Sequence, residues 1–218
     1  MYIPKAFEES DKQVLADFIK TNSFGILFSQ EMDGPFATHL PFLLEEYKKD
    51  NGVLISHMAK ANPHWQQLDG KEVLVVFPGP HAYISASWYH EENTVPTWNY
   101  VTAHVTGTVR VIKAKDELVE LIEKTVAAYE DPMPAPWKAN VQEPFIDGLM
   151  NGIVGFEIMV KKIEGKWKLN QNHSIERMQN AVNGLKESNQ IHAYDIAALM
   201  EEKINEKQNK RLGDNERV

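Results

Sequence analysis

The chain has 218 residues, 43% of them hydrophobic, with a formal net charge of −8 and no cysteine. Its length accommodates one large domain, or a domain with an appendage, around a sizeable core. The acidic balance argues against non-specific nucleic-acid binding, whose affinity comes largely from lysine and arginine neutralising phosphates, and the lack of cysteine excludes disulfides, thiolate zinc sites and cysteine nucleophiles.

The first twenty residues are interrupted by charge and lack an apolar signal core. No stretch has the apolar length of a membrane span, so the expectation is a soluble, cytoplasmic protein with no membrane partner. A helix is predicted near 10–20, with Ser10 and Gln13 fitting a capping box and Val14, Leu15, Phe18 and Ile19 on one apolar face. FGILFSQ then reads as a strand, Asp33-Gly34 as a turn and FATHLPFLLEE as a second strand. Asn51-Gly52 is a hairpin signal leading into VLISHM, and Asn62-Pro63 predicts a capped short helix over HWQQL.

KEVLVVFPG is predicted as a strand ended by Pro78-Gly79-Pro80, followed by strands AYISASWY and NYVTAHVTGTVRVI. In the latter, Val101, Ala103, Val105, Gly107, Val109 and Val111 alternate onto one face. In AYISASWY the same alternation puts Tyr83, Ser85 and Ser87 on one face and Ala82, Ile84, Ala86 and Trp88 on the other. A helix follows over about 115–129, then the proline-rich DPMPAPW, a short helical piece around 142–150 and the strand GIVGFEIMVKKI. Glu164-Gly165-Lys166 reads as a turn before WKLNQN. Ser174 caps a helix carrying Ile175, Met178, Val182 and Leu185, a second helix spans about 191–207, and the tail NKRLGDNERV reads as frayed.

Many strands with short turns and few intervening helices predict an antiparallel barrel, an α+β fold with flanking helices, rather than a βαβ sheet. No GxGxxG or P-loop sequence follows any strand. The expected division is a barrel domain over 1–172 and a C-terminal helical pair over 173–218.

Several clusters bear on chemistry. In SHMAKANPHW (56–65), Ser56, His57 and Lys60 lie where a strand gives way to a helix start, which suits an anion and equally suits an ordinary capped helix. The histidines are scattered, with no HExxH and no i, i+4 pair, so no metal site is expected. Ser85 and Ser87 lack a GxSxG elbow, and no catalytic residue is assigned. Residues 81–107 hold Tyr83, Trp88, Tyr89, Trp98 and Tyr100 around a polar loop. Such rings with polar tips suit a planar heteroaromatic ligand, or simply fill a hairpin core.

The segments THLPF (38–42), SHMAKANPHW (56–65), VVFPGPHAYISASWY (75–89), VPTWNY (95–100), HVTG (104–107), GFEI (155–158) and IEGKWKLNQN (163–172) together resemble the PaiB family of FMN-binding negative transcriptional regulators. Alanine at 86 departs from the expected ISPSWY pattern, which loosens that strand locally. The resemblance implies an FMN-binding split β-barrel that forms a homodimer, with FMN at the subunit interface. It also implies a role restraining sporulation and degradative-enzyme (protease) production. On that basis Ser56, His57 and Lys60 are candidates for the FMN phosphate. Trp88 and the cluster Thr97, Trp98, Asn99 and Tyr100 are candidates for bracketing the isoalloxazine, with His39 and Pro41 on its other side. Lys168, Gln171 and Asn172 are candidates to reach in from the neighbouring subunit.

Two other functions compete: an FMN-dependent oxidoreductase of the split-barrel class, and a DNA-binding repressor using the helix pair after 174. The second of those helices carries Asp195, Glu201 and Glu202 against Lys203, poor chemistry for phosphates and base edges. The expectation is therefore regulation through flavin or a regulatory protein partner rather than direct DNA contact.

Overall fold

The computed structural model describes residues 1–45, 51–138 and 144–215. Residues 142–143 of the expected short helix, Glu46 at the end of the second strand and residues 216–218 of the tail lie outside the described residues. The chain divides into two compact units: Met1–Asp11, Pro78–Thr102 and Glu164–Val218 form the first, and Lys12–Phe77 with Ala103–Ile163 form the second.

The strands are β1 (Glu8–Glu9), β2 (Phe24–Glu31), β3 (Gly34–Pro41), β4 (Leu43–Glu45), β5 (Val53–Ala59), β6 (Glu72–Ile84), β7 (Thr97–Val111) and β8 (Ile153–Lys168). The helices are α1 (Lys12–Thr21), α2 (Lys115–Glu130), α3 (Pro144–Met150), α4 (Ile175–Glu187) and α5 (Ala193–Asn215). The sheet order is β3-β2-β6-β7-β8-β5-β4, with β1 added on β8.

In the second unit β2 and β3 form an antiparallel hairpin in register from Phe24↔Pro41 to Glu31↔Gly34. Gly34 takes φ 125°, a backbone region that glycine enters without steric cost. The expected single strand over 36–46 breaks at Phe42, whose N–H turns to the Ser23 carbonyl at 2.8 Å. Its ring enters the core edge-on to Phe77 (5.7 Å) and Phe156 (6.3 Å). Leu27, Leu54, Met58, Val75, Val105 and Ile158 pack in the same cluster, and α1 adds Ala16 and Ile19 from its apolar stripe. On the opposite face of β5, Val53 and Ile55 pack with Ile112 and with Leu121 of α2.

Other boundaries moved for reasons that lie outside their own segments. Pro78 and Pro80 do not end a strand, because β6 runs through to Ile84 and its pairing with β2 involves only Leu74–Val76, before the prolines. AYISASWY is not a strand throughout. Ser85 caps a 3-10 turn over Ala86–Tyr89, accepting from the Ser87 N–H at 3.3 Å. The expected shared face of Tyr83, Ser85 and Ser87 therefore stops at Ser85. Glu164-Gly165-Lys166 does not turn, since Gly165 and Lys166 pair with Glu9 and Glu8 of β1. HWQQL is a 3-10 turn over Pro63–Gln67, capped by the Asn62 side chain as expected, and α5 continues beyond 207 to Asn215. The alternation in β7 holds along its length, and Asn99 joins the buried set.

His64, fully enclosed, ties several of these pieces together. Its Nε2 meets Ser29 Oγ of β2 at 2.8 Å and its Nδ1 meets Thr38 Oγ1 of β3 at 2.7 Å. The Thr38 hydroxyl also accepts from Asn62 Nδ2 at 3.2 Å. Burial lowers the His64 pKa below 6.5, partly opposed by the Glu31 carboxylate, and burial lowers that of His57 as well. A lowered pKa means that the unfolded chain takes up protons first as pH falls. The stability these groups contribute is complete above pH 6.5 and declines below it. We expect the urea midpoint to drop between pH 7.5 and pH 5.5, with His64 titrating below 6.5 by NMR. A His64 midpoint above 6.5 would contradict this.

Candidate functional site

The candidate residues fall in both units. In the second unit, Ser56 and His57 are consecutive on β5 and so face opposite sides of the sheet. Ser56 is buried and donates its hydroxyl to the Pro41 carbonyl at 2.6 Å, fixing the bend between β3 and β4. His57 lies opposite Gly155 of β8, and its buried Nδ1 has no hydrogen-bond partner among the described residues. Lys60 is exposed just beyond β5. Its N–H donates to the Gly152 carbonyl at 2.8 Å and its own carbonyl accepts from Trp65 Nε1 at 3.0 Å. His39 is exposed on β3, its ring 6.3 Å from that of Phe24.

In the first unit the structure brings Lys168, Thr97, Trp98 and Tyr100 together. The Lys168 ammonium donates to Thr97 Oγ1 and, at 2.7 Å, to the Trp98 carbonyl. An ammonium has three donors, so one N–H remains for another acceptor. Burial, reinforced by the nearby charge of Lys166, lowers the Lys168 pKa. Lys166 is only 8% exposed and donates to the Tyr2 carbonyl at 3.1 Å. Its Nζ sits 5.3 Å from the centre of the Tyr100 ring. Two lysines on one face of β8, with no carboxylate ion-paired to either among the described residues, favour an electron-rich or anionic ligand. The Trp98 ring, 54% exposed, stands edge-on to Tyr83 at 5.8 Å and 6.1 Å from His81.

The other candidates have partners within the fold. Asn99 is completely buried and donates to Met200 Sδ of α5 at 3.3 Å, while its Oδ1 has no partner among the described residues. Gln171 accepts from the Leu169 N–H at 2.8 Å and donates to the Trp167 carbonyl at 2.6 Å. Trp88 lies against Gly184 of α4, where even a methyl group would overlap its ring. Asn172 is exposed.

Lys166, Tyr83 and His81 also belong to the Trp98 surface. A signal for Lys166 was present, because two lysines at i and i+2 in KWK share a strand face. Tyr83 was already legible among the rings of residues 81–107, whereas His81 carries no such signal, since only tertiary packing brings it beside Trp98. Among the described residues no group of three or more histidines, cysteines or carboxylates is placed to hold a metal. No described helix is long and apolar enough to cross a membrane.

The fold is that of a flavin-binding split β-barrel. Residues 1–162 match the family described as "Putative FMN-binding domain". The chain is 38% identical over 206 residues to the protease synthase and sporulation protein PAI 2 of Bacillus subtilis, covering 94% of this chain and 98% of that protein. Among solved structures it is similar to the FAD and heme binding protein of Mycobacterium smegmatis, with TM-score 0.57, 15% identity and coverage of 74% and 73% of the two chains. It is also similar to the flavocytochrome Anf3 of Azotobacter vinelandii, with TM-score 0.56, 10% identity and coverage of 76% and 72%. This chain belongs to the PaiB family, and FMN is its cofactor. The donor set fits that group: a planar ring needs the exposed Trp98 face and a few directed donors such as Lys168, and a phosphate needs cations.

Proposed function

We propose that the protein is a negative transcriptional regulator of sporulation and degradative-enzyme production. In this reading it acts in the cytoplasm as a homodimer with FMN at the interface between copies. The observation that carries it is the likeness to PAI 2 along nearly the whole of both chains. Bound FMN supplies one- and two-electron redox chemistry. Trp98 and Tyr100 would offer ring surface, the remaining N–H of Lys168 would donate to the flavin, and Thr97 orients that ammonium. His39 and Pro41 would line the ring from β3 of the other copy, where Ser56 holds Pro41 in place and Lys60 with His57 would serve the phosphate side. Asn99, Gln171 and Trp88 support the site by fixing the segments around it, with Asn172 at its edge.

Regulation runs through a protein partner or the flavin state rather than through operator contact. The outward side of the first turns of α5 presents Tyr194, Asp195 and Glu202, and its Glu201 is ion-paired to Lys186 of α4 at 2.6 Å. An acidic helix face repels phosphates. Purified protein should release FMN on denaturation, sediment as a dimer and show no salt-sensitive binding to a promoter fragment. Tight, specific promoter binding would overturn the partner-mediated reading, and rapid NAD(P)H-dependent turnover would replace the regulator by an oxidoreductase.

A further inference from the structure

We propose that the Lys168 side chain is a reactive amine that captures planar aldehydes as imines. This activity goes beyond the flavin reading and does not require FMN. Every residue it uses lies in the first unit: Thr97, Trp98 and Tyr100 of β7, Lys166 and Lys168 of β8, and Tyr2 ahead of β1.

The hydrogen bonds of Lys168 are the first argument. Its nitrogen donates to Thr97 Oγ1 and, at 2.7 Å, to the Trp98 carbonyl. A tetrahedral nitrogen has four positions: one is the bond to its own side chain, and the two acceptors occupy two more. A neutral amine still carries two N–H groups, so both hydrogen bonds survive loss of the third proton. The lone pair then takes the remaining position, which has no acceptor among the described residues. The nucleophilic electrons are thus held in a fixed direction by two bonds that do not require the charge.

The second argument is what surrounds that nitrogen. Lys166 lies on the same strand face and is buried. Its Nζ donates to the Tyr2 carbonyl at 3.1 Å and sits 5.3 Å from the centre of the Tyr100 ring and 5.6 Å from that of Tyr2. Glu8 is opposite Lys166 in the β1–β8 pair but is exposed, and among the described residues it is ion-paired to neither lysine. Burial, then the Lys166 charge, holds the Lys168 pKa below its ordinary value. His173 is a further titratable group that feels the Lys168 charge. A desolvated lysine beside a second cation is a recurring way to make an amine nucleophilic near neutral pH. The exposed Trp98 ring belongs to the residue whose carbonyl Lys168 holds, and it offers a planar aldehyde its stacking surface. The Lys166 charge favours an aldehyde that carries a carboxylate.

The neutral amine adds to the aldehyde carbon, forming the C–N bond while the carbonyl oxygen takes up a proton. Loss of that oxygen as water breaks the C–O bond and leaves the imine. Amine plus aldehyde therefore gives imine plus water, with no oxidant or reductant. Full-length flavin-free protein near neutral pH would be treated with para-formylbenzoate and, in parallel, with propanal. Cyanoborohydride in both reactions reduces any imine to a stable secondary amine, and peptide mass spectrometry gives the labelling rate of each lysine. With para-formylbenzoate, Lys168 should be labelled about fivefold or more faster than the exposed Lys5 and Lys71. That lead should shrink with propanal, which cannot stack. Added FMN should slow the labelling of Lys168 where the flavin covers this surface. Labelling of Lys168 that is fast and indifferent to FMN would leave the amine assigned and remove it from the flavin contact. Labelling of Lys168 no faster than that of Lys5 and Lys71 would overturn the proposal, as would a fast adduct on Lys166 instead. An equal lead with propanal would overturn the assignment to planar aldehydes.

Discussion

Replacing Gly107 by valine should destabilise the protein by about 3 kcal/mol or more, at the upper end of overpacking penalties. A Cβ at this position on β7 would lie 2.5 Å from the Met159 carbonyl oxygen and 2.6 Å from Ile158 Cγ2. The first obstacle is backbone within β8, which cannot withdraw without disrupting its own pairing with β5, where Met159 faces Val53. Gly107 has an ordinary backbone conformation, so the requirement is for space and not for unusual torsion angles. For a chain of this length such a loss corresponds to a fall of about 6–12 °C in thermal midpoint. An unchanged midpoint would show that β7 and β8 are not packed this closely.

Exchange of Lys168 for methionine should raise the Kd for FMN about ten- to hundredfold, the equivalent of one charge-assisted hydrogen bond in a half-buried site. Methionine keeps most of the aliphatic stem and removes all three donors. The bonds to Thr97 Oγ1 and the Trp98 carbonyl are also lost, so part of the effect comes from a less ordered Trp98. Thr97→Val separates the two contributions, because it leaves the ammonium in place and removes only its orienting hydroxyl. Flavin fluorescence titration reads both variants. A Kd for Lys168→Met within twofold of wild type would place this lysine outside the ligand.

The candidate site was partly legible before folding. VPTWNY and KWK pointed to the surface where Trp98, Tyr100 and Lys168 meet, because ring and ammonium chemistry is local to those segments. Ser56 and His57 were legible as residue types but not as a pair, since a strand sends neighbouring residues to opposite faces. Gln171 and Asn99 looked like free amides. The structure engages one with the backbone of its own turn and the other with Met200, a residue 101 positions away.

By itself the amino-acid sequence determined the antiparallel α+β class, the inward face of β7, the caps at Asn62 and Ser174 and the family motifs that point to FMN. Each of these depends on periodicity or residue chemistry within a short window. Tertiary structure decided that β6 passes through Pro78 and Pro80, that β8 runs straight through Gly165, and that the 3-10 turn at Ala86 ends the shared face of Tyr83 and Ser85. It also decided which polar side chains already have partners. The continuity of β8 and the partners of Asn99 depend on residues far away in the chain, Glu8 and Glu9 opposite Lys166 and Gly165 and Met200 beneath Asn99. The hydrogen bonds of a strand or a buried amide are completed by whatever the fold brings alongside.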